Sequence, residues 1–309
     1  MSGSTARSSR SRQVLDRVDQ VIVHDFDRPN IFLRVDIFSK APEKIDAVLR
    51  RVEFADKPGI VYVSTHKNAE SIAADLHRRG IEAIFYHGGL KAKEREAIQD
   101  RFMSGVAPVI VATNAFGTGV DKPDIRFIYH ADVSESLDAY YQEIGRGGRD
   151  GKPAEAVLFY RAHDIGAQQY KTGGGTVDAH DLESVVSALS DHKNRADPKD
   201  LSRETGISSR RLTNILHKLE EVGAAHKLDS GEIQVNTRQS LPEITGAAAE
   251  QQELYKQLRK RRLEQMREYA ESRTCRREVL LRHFGEDSTG PCGNCDRCEA
   301  AGFSAAHRN

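Results

Sequence analysis

The chain is 309 residues long, with 30% charged and 38% hydrophobic residues and a formal charge of zero. That length holds two or three domains with buried cores, and balanced charge excludes a global field, so any nucleic-acid contact must come from local patches. No run of about 18 apolar residues is present to span a bilayer, and no apolar signal-peptide core follows the start.

Residues 1–20 are read as a disordered leader, because the first 13 are rich in Ser and Arg and carry no apolar period. From there strands and helices are expected to alternate. Gly59-Ile60-Val61-Tyr62-Val63 is a continuous apolar run of the kind a buried parallel strand requires. Asn68 to Arg79 reads as a helix stopped by Gly80, with Ile72 and Leu76 one turn apart. Ile81 to Tyr86 is a strand, Lys91 to Phe102 a helix and Val109 to Ala112 a strand. Ile125 to His130 is a strand, Ser136 to Gly145 a helix and Ala156 to Phe159 a last strand. This order implies an α/β fold with a parallel sheet, assigned to residues 21–170.

Thr172-Gly173-Gly174-Gly175-Thr176 is expected to be a linker, since three successive glycines hold no regular element. Leu182, Val185, Val186 and Leu189 then form a helical stripe, and Leu201 to Thr205 is a short helix stopped at Gly206. Ser208 or Ser209 caps a third helix carrying Leu212, Ile215, Leu216 and Leu219 and ending at Gly223. Asp229-Ser230-Gly231 is a hairpin turn between Ala224–Leu228 and Glu232–Val235. Three helices and a hairpin make a winged helix, assigned to 176–240. Ala247 to Arg273 is strongly helix-forming and opens a small helical subdomain at 247–303. Between Tyr255 and Gly285 there are ten Lys or Arg against four Asp or Glu.

All four cysteines fall in the last 35 residues as C-x16-C-x2-C-x2-C: Cys275, Cys292, Cys295 and Cys298. Without an export signal, such clustering reads as metal ligation rather than disulfides, and a cytoplasmic protein is the default. Four soft thiolates favour zinc over an iron–sulfur cluster, and four sulfurs leave no open position for chemistry, so the metal is structural. His283 and His307 lie nearby, but a fifth ligand is unnecessary.

The chemistry-bearing run is Gln142-Glu143-Ile144-Gly145-Arg146-Gly147-Gly148-Arg149-Asp150-Gly151. Two arginines three residues apart at a glycine-rich helix end can reach the phosphates of a nucleotide held by another domain. Read alone, the glycines could be only a helix terminator and Arg149-Asp150 a surface pair. The run follows Val109-Ile110-Val111-Ala112-Thr113-Asn114-Ala115-Phe116-Gly117-Thr118-Gly119-Val120-Asp121 by about one strand and one helix. That order resembles motifs V and VI of superfamily 2 helicases, and the wording resembles the RecQ family of DNA helicases. Asp25-Phe26-Asp27-Arg28-Pro29-Asn30-Ile31, the Tyr86-His87-Gly88-Gly89-Leu90 turn and the flanks of the zinc cysteines resemble the same family.

The resemblance implies the second of two RecA-like helicase domains. Gln142, Arg146 and Arg149 match the motif VI positions, with Arg149 the expected arginine finger. Asp121, Gly119 and Gly145 are expected on the nucleotide side, and Thr113 and Gly117 at the DNA backbone. The implied partners are single-stranded or partly duplex DNA and a first RecA-like domain, with ATP and magnesium bound between the two. These 309 residues contain no G-x-x-x-x-G-K-[ST] phosphate cradle and no Asp-Glu pair, so hydrolysis by this part alone is not expected. Arg210 and Arg211, with Asn214 and Lys218, lie on the polar side of the third winged helix, the position that enters a major groove. Lys256 and Lys260 on the basic helix can contact phosphates or form a solvated face. The winged segment departs from the usual family order by lying before the zinc cysteines. The alternative is a non-enzymatic DNA-binding or regulatory protein that uses the winged helix and zinc parts.

Overall fold

A computed structural model of the chain describes residues 27–117, 120–166, 177–192, 195–236, 240–286 and 290–303. The leader, the glycine linker, Gly119 and His307 lie outside the described residues. Residues 31–160 form β1 (Ile31–Ile37), α1 (Ala41–Phe54), β2 (Gly59–Tyr62), α2 (His66–Arg78), β3 (Ala83–Tyr86), α3 (Ala92–Met103), β4 (Val109–Ala112), β5 (Phe127–His130), α4 (Leu137–Ile144) and β6 (Ala154–Tyr160). The six strands are all parallel, in the order β1-β6-β5-β2-β4-β3.

Alternation along the buried strands divides them between two cores. Val61, Val111, Tyr129 and Val157 face α1 and α2 through Val48, Val52, Ile72 and Leu76. Ile60, Ile110, Ile128, Ala156 and Leu158 face the other way, onto Leu137, Tyr140 and Ile144 of α4. Gly59 opens β2 because a Cβ there would lie 2.2 Å from the Phe127 ring. The first βα unit, β1 and α1, has no counterpart in the sequence reading. β1 buries only Ile31, Leu33 and Val35 and alternates them with half-exposed positions, as an edge strand does.

A second core joins α5 (Ala179–Asp191), β7 (Arg195–Ala196), α6 (Pro198–Thr205), α7 (Ser209–Glu221), β8 (Ala225–Lys227) and β9 (Ile233–Val235). Its small sheet is antiparallel, in the order β7-β9-β8. The expected stripes are buried, and Gly206 and Gly223 both end helices at φ +69°. Ser208 occupies the N-cap of α7, but its side chain accepts no capping bond, contrary to expectation.

α8 (Leu241–Glu271) begins six residues before the expected Ala247. Ser240 and Glu243 form its capping box, and Pro242 occupies its first turn, where a missing N–H costs nothing. Its 31 residues make a rod about 46 Å long at 1.5 Å per residue. Ile244 and Ala248 belong to the winged core, whereas Leu263, Met266, Tyr269 and Ala270 belong to the core beneath α4. α9 (Arg276–His283) and α10 (Asp296–Ala300) follow, and all four cysteines are buried in that same α4-side core.

Lys44 of α1 is buried and donates to the Ala131 carbonyl (2.5 Å), Asp132 (3.2 Å) and Asp164 (2.7 Å). Burial alone would raise the Asp132 carboxyl. Lys44 and hydrogen bonds from Ser64 and Asn68 outweigh it and hold the group below its ordinary 3.8. Lys44→Met leaves the largely buried Asp132 without its cation, while Asp164 keeps Arg161 at 2.6 Å, and should cost about 3 kcal/mol in chemical denaturation. A depressed carboxylate contributes stability above its unfolded pKa and loses it as pH falls. The stability difference between wild type and Asp132→Asn should therefore be full near neutrality and shrink below about pH 4.

Candidate functional site

The arginine-bearing turn runs from the C-terminus of α4 to β6. Helix ends leave carbonyls without partners, and here they converge on one side chain. Arg28 donates to the carbonyls of Gly145 (2.7 Å), Gly147 (2.7 Å) and Gly148 (3.2 Å). Asn30 donates to Gly148 (2.7 Å) and Lys152 (2.8 Å). Gly148 sits at φ +54°, and a Cβ on it would meet Asn30 Nδ2 and Lys152 O at 2.5 Å. The amides of Gly148 and Asp150 donate to Ile125 and Pro123, pinning the turn to the segment before β5.

Arg149 leaves this turn toward solvent and donates to Asp121 at 2.7 Å. The two side chains are 38% and 80% exposed, so the pair is worth less than about 1 kcal/mol and is easily exchanged for another anion. Arg146 turns the other way. Its guanidinium donates to the Gly117 carbonyl at 2.6 Å, and its Nε is buried without a partner. A Cβ on Gly117 would lie 2.6 Å from that guanidinium, so glycine lets Arg146 through. Gln142 is exposed on α4, and Gly145 is the helix C-cap.

Thr113 is buried just past the C-terminal end of β4, and its amide donates to Tyr86 at 3.1 Å. The Arg149 turn lies before the start of β6, at the opposite end of the parallel sheet. The two groups of candidate residues are thus brought to opposite sheet ends, joined by the segment from Thr113 to Ile125. Sequence reasoning missed a polar crevice at the carboxyl ends of β2 and β5, where the strand order reverses, the usual place for a ligand in such sheets. Its volume is about 180 Å³, and Glu143 there accepts from Ser134 (2.7 Å) and pairs with buried His130 (2.8 Å). The one sequence signal was polar His130, Asp132 and Ser134 closing an apolar strand.

The ligand sulfurs of Cys275, Cys292, Cys295 and Cys298 all lie within 4.8 Å of one another. Cys292 and Cys298 are 3.8 Å apart, and Cys275 and Cys295 3.9 Å. A regular tetrahedron with zinc–sulfur bonds of about 2.3 Å has edges of about 3.8 Å, so the tetrad fits this ion. Backbone amides of Asn294 and Cys298 donate to Cys292 and Cys295, stabilising thiolate charge. Burial pushes the Cys298 thiol up to about 11, a cost that a divalent cation at the centre of the tetrad removes.

The basic run separates into two kinds of residue. Lys256 and Lys260 of α8 and Arg210 and Arg211 of α7 are exposed, with Lys256 beside Glu253 and Arg211 paired to Asp181. Arg276 and Arg277 are buried and structural. Lys218, expected on the solvent side of α7, is instead buried, bonded to Glu221 at 3.1 Å and set 4.7 Å over the Tyr255 ring. Its long stem is drawn between α7 and α8 because Tyr255 provides a face for its charge.

Comparison with known proteins agrees with this geometry. Residues 42–151 match the helicase conserved C-terminal domain, and residues 233–299 match the RecQ zinc-binding family, which includes α8 and the tetrad. The chain belongs to the RecQ helicase family, as its C-terminal helicase and zinc-binding region. It is 31% identical over 284 residues to the probable ATP-dependent DNA helicase RecS of Bacillus subtilis, covering 91% of this chain and 53% of that protein. It is 30% identical over 299 residues to the ATP-dependent DNA helicase RecQ of Haemophilus influenzae, covering 96% of this chain and 36% of that protein. The chain therefore spans about half the length, or less, of these RecQ-family relatives. Among the described residues no helix is long and apolar enough to cross a membrane.

Two outcomes follow from the site geometry. Cys295→Ser should lower zinc content measured by atomic absorption, and unchanged content would refute the ligand set. Gly148→Ala should lower unfolding free energy by about 1–2 kcal/mol from backbone strain alone, more with the Asn30 clash, as read by denaturant titration.

Proposed function

We propose that this chain is the half of an ATP-dependent DNA helicase that supplies the arginine finger. The observation that carries the reading is Arg149, held on a pinned turn at the surface and engaged there by a weak, exposed pair with Asp121. ATP and magnesium are bound by a first RecA-like domain, because the 309 residues offer no phosphate cradle. When the two domains close, Arg149 exchanges the Asp121 carboxylate for the terminal phosphoryl group and neutralises the charge that develops as it leaves. Gln142 and Gly145 complete the nucleotide-facing surface.

Arg146 links this event to DNA. Its bond to Gly117 ties the arginine turn to the loop that starts at Thr113, so a shift of the turn pulls on the sheet end where Thr113 and Gly117 approach the DNA backbone. Alternate closing and opening moves the protein along single-stranded DNA in the 3′-to-5′ direction, in the service of repair or recombination. Arg210, Arg211, Lys256 and Lys260 add phosphate contacts to partly duplex DNA, a sequence-independent term that salt weakens. The zinc holds structure only, since four sulfurs fill its coordination sphere. Free buried cysteines suit a reducing cytoplasm.

The test is ATP hydrolysis by this chain with single-stranded DNA, before and after addition of a separately made first RecA-like domain. Hydrolysis should be absent before and measurable after, and robust activity of the chain alone would refute the reading. In the combined system Arg149→Ala should lower kcat by about 10³-fold or more while leaving DNA affinity within about twofold.

A further inference from the structure

Arg28 is half-buried among backbone carbonyls, and among the described residues no carboxylate hydrogen-bond partner explains its place. Burial draws its guanidinium below the usual range, which is the energetic cost of putting a cation there. What it gains is a set of carbonyls that converge where α4 ends, Gly148 being shared with Asn30 and the Gly151 amide. A planar guanidinium with five donors can span Gly145, Gly147 and Gly148 together, which a lysine ammonium cannot do in one geometry. Arg28 thus acts as a C-terminal cap for α4, supplied from the segment before β1.

That segment is itself held by the zinc-bearing helix. Arg277 at the start of α9 donates to the backbone carbonyls of Arg28 and Ile31, both at 2.8 Å, and pairs with Asp27 at 2.9 Å. The same part of the molecule also clasps α4 directly. Tyr269 of α8 meets Tyr140 (3.4 Å between hydroxyls), and Phe284 packs its ring 4.8 Å from Tyr141.

We infer that Arg28 is a positioning residue for nucleotide hydrolysis, fixing the turn that carries Arg149, and that Arg277 couples this turn to the zinc-bearing helices. The inference rests on Arg149 being the finger, and it adds a residue that contacts neither nucleotide nor DNA. Arginine-finger chemistry depends on placement, and a displacement of about 1 Å can cost about 10²-fold in rate.

Hydrogen–deuterium exchange on this chain tests the structural half without any hydrolysis. In Arg28→Ala and Arg28→Lys the amides of Gly148 and Asp150 should exchange at least about tenfold faster, with zinc content and the Gly59–Tyr62 amides unchanged. Arg277→Met should speed the same amides by a smaller factor, and no change there would remove the zinc link. Combined with a first RecA-like domain, both Arg28 variants should lose about 10²-fold in kcat with KM for ATP nearly constant, and lysine should not rescue.

Unchanged exchange in Arg28→Ala overturns the inference outright. Faster exchange with normal kcat, in a system where Arg149→Ala abolishes hydrolysis, overturns the positioning role. If Arg149→Ala itself hydrolyses normally, the finger reading has failed, and exchange alone decides whether Arg28 holds the turn.

Discussion

The docking of the cysteine knuckle on the free edge of β1 is the contact on which the rest of this architecture depends. An edge strand presents unpaired backbone groups that must be covered or managed. Here the Leu33 amide donates to Asn294 at 3.3 Å, and Leu33 forms an isolated parallel bridge with Cys295. Asp296 joins the two parts further. Its carboxylate accepts from Nε and Nη2 of Arg276, at 2.9 and 3.1 Å, and Nη1 of that arginine caps α8 at the Tyr269 and Ala270 carbonyls. A metal at the tetrad thus organises the knuckle, the knuckle closes the sheet edge, and the residues leading into that edge hold the arginine turn.

The arginines separate by burial into two tasks. Arg276 has no exposed surface and its charge is met by a carboxylate and two carbonyls, so losing a partner costs about 3–5 kcal/mol. Arg149 lies in a solvent-facing pair whose strength is a small fraction of that. The finger proposed above would change partners once per cycle, which a deeply paired group cannot do. Exposure thus separates a guanidinium that acts as a rivet from one that is free to exchange its partner.

Much of the parallel sheet was legible because its central strands are unbroken apolar runs and its helices end at glycines. The cysteine tetrad was legible from spacing alone. β1 and α1 were not, since the strand buries only alternate residues and its other edge is covered by residues more than 250 positions away (Val35 N to Asp296). The roles of Arg28, Asn30, Arg276 and Arg277 were equally hidden. Sequence shows each as a polar residue, and only the fold reveals that backbone carbonyls surround them. Lys218 misled for the same reason, because its partner ring comes from α8.

The most direct measurement is exchange of the Ile31–Val35 and Gly145–Gly148 amides in the zinc-loaded chain before and after chelation. The account predicts that both segments lose protection together when zinc leaves, while β2 and β4 stay protected. Loss confined to residues 292–298, with β1 and the arginine turn unchanged, would contradict it.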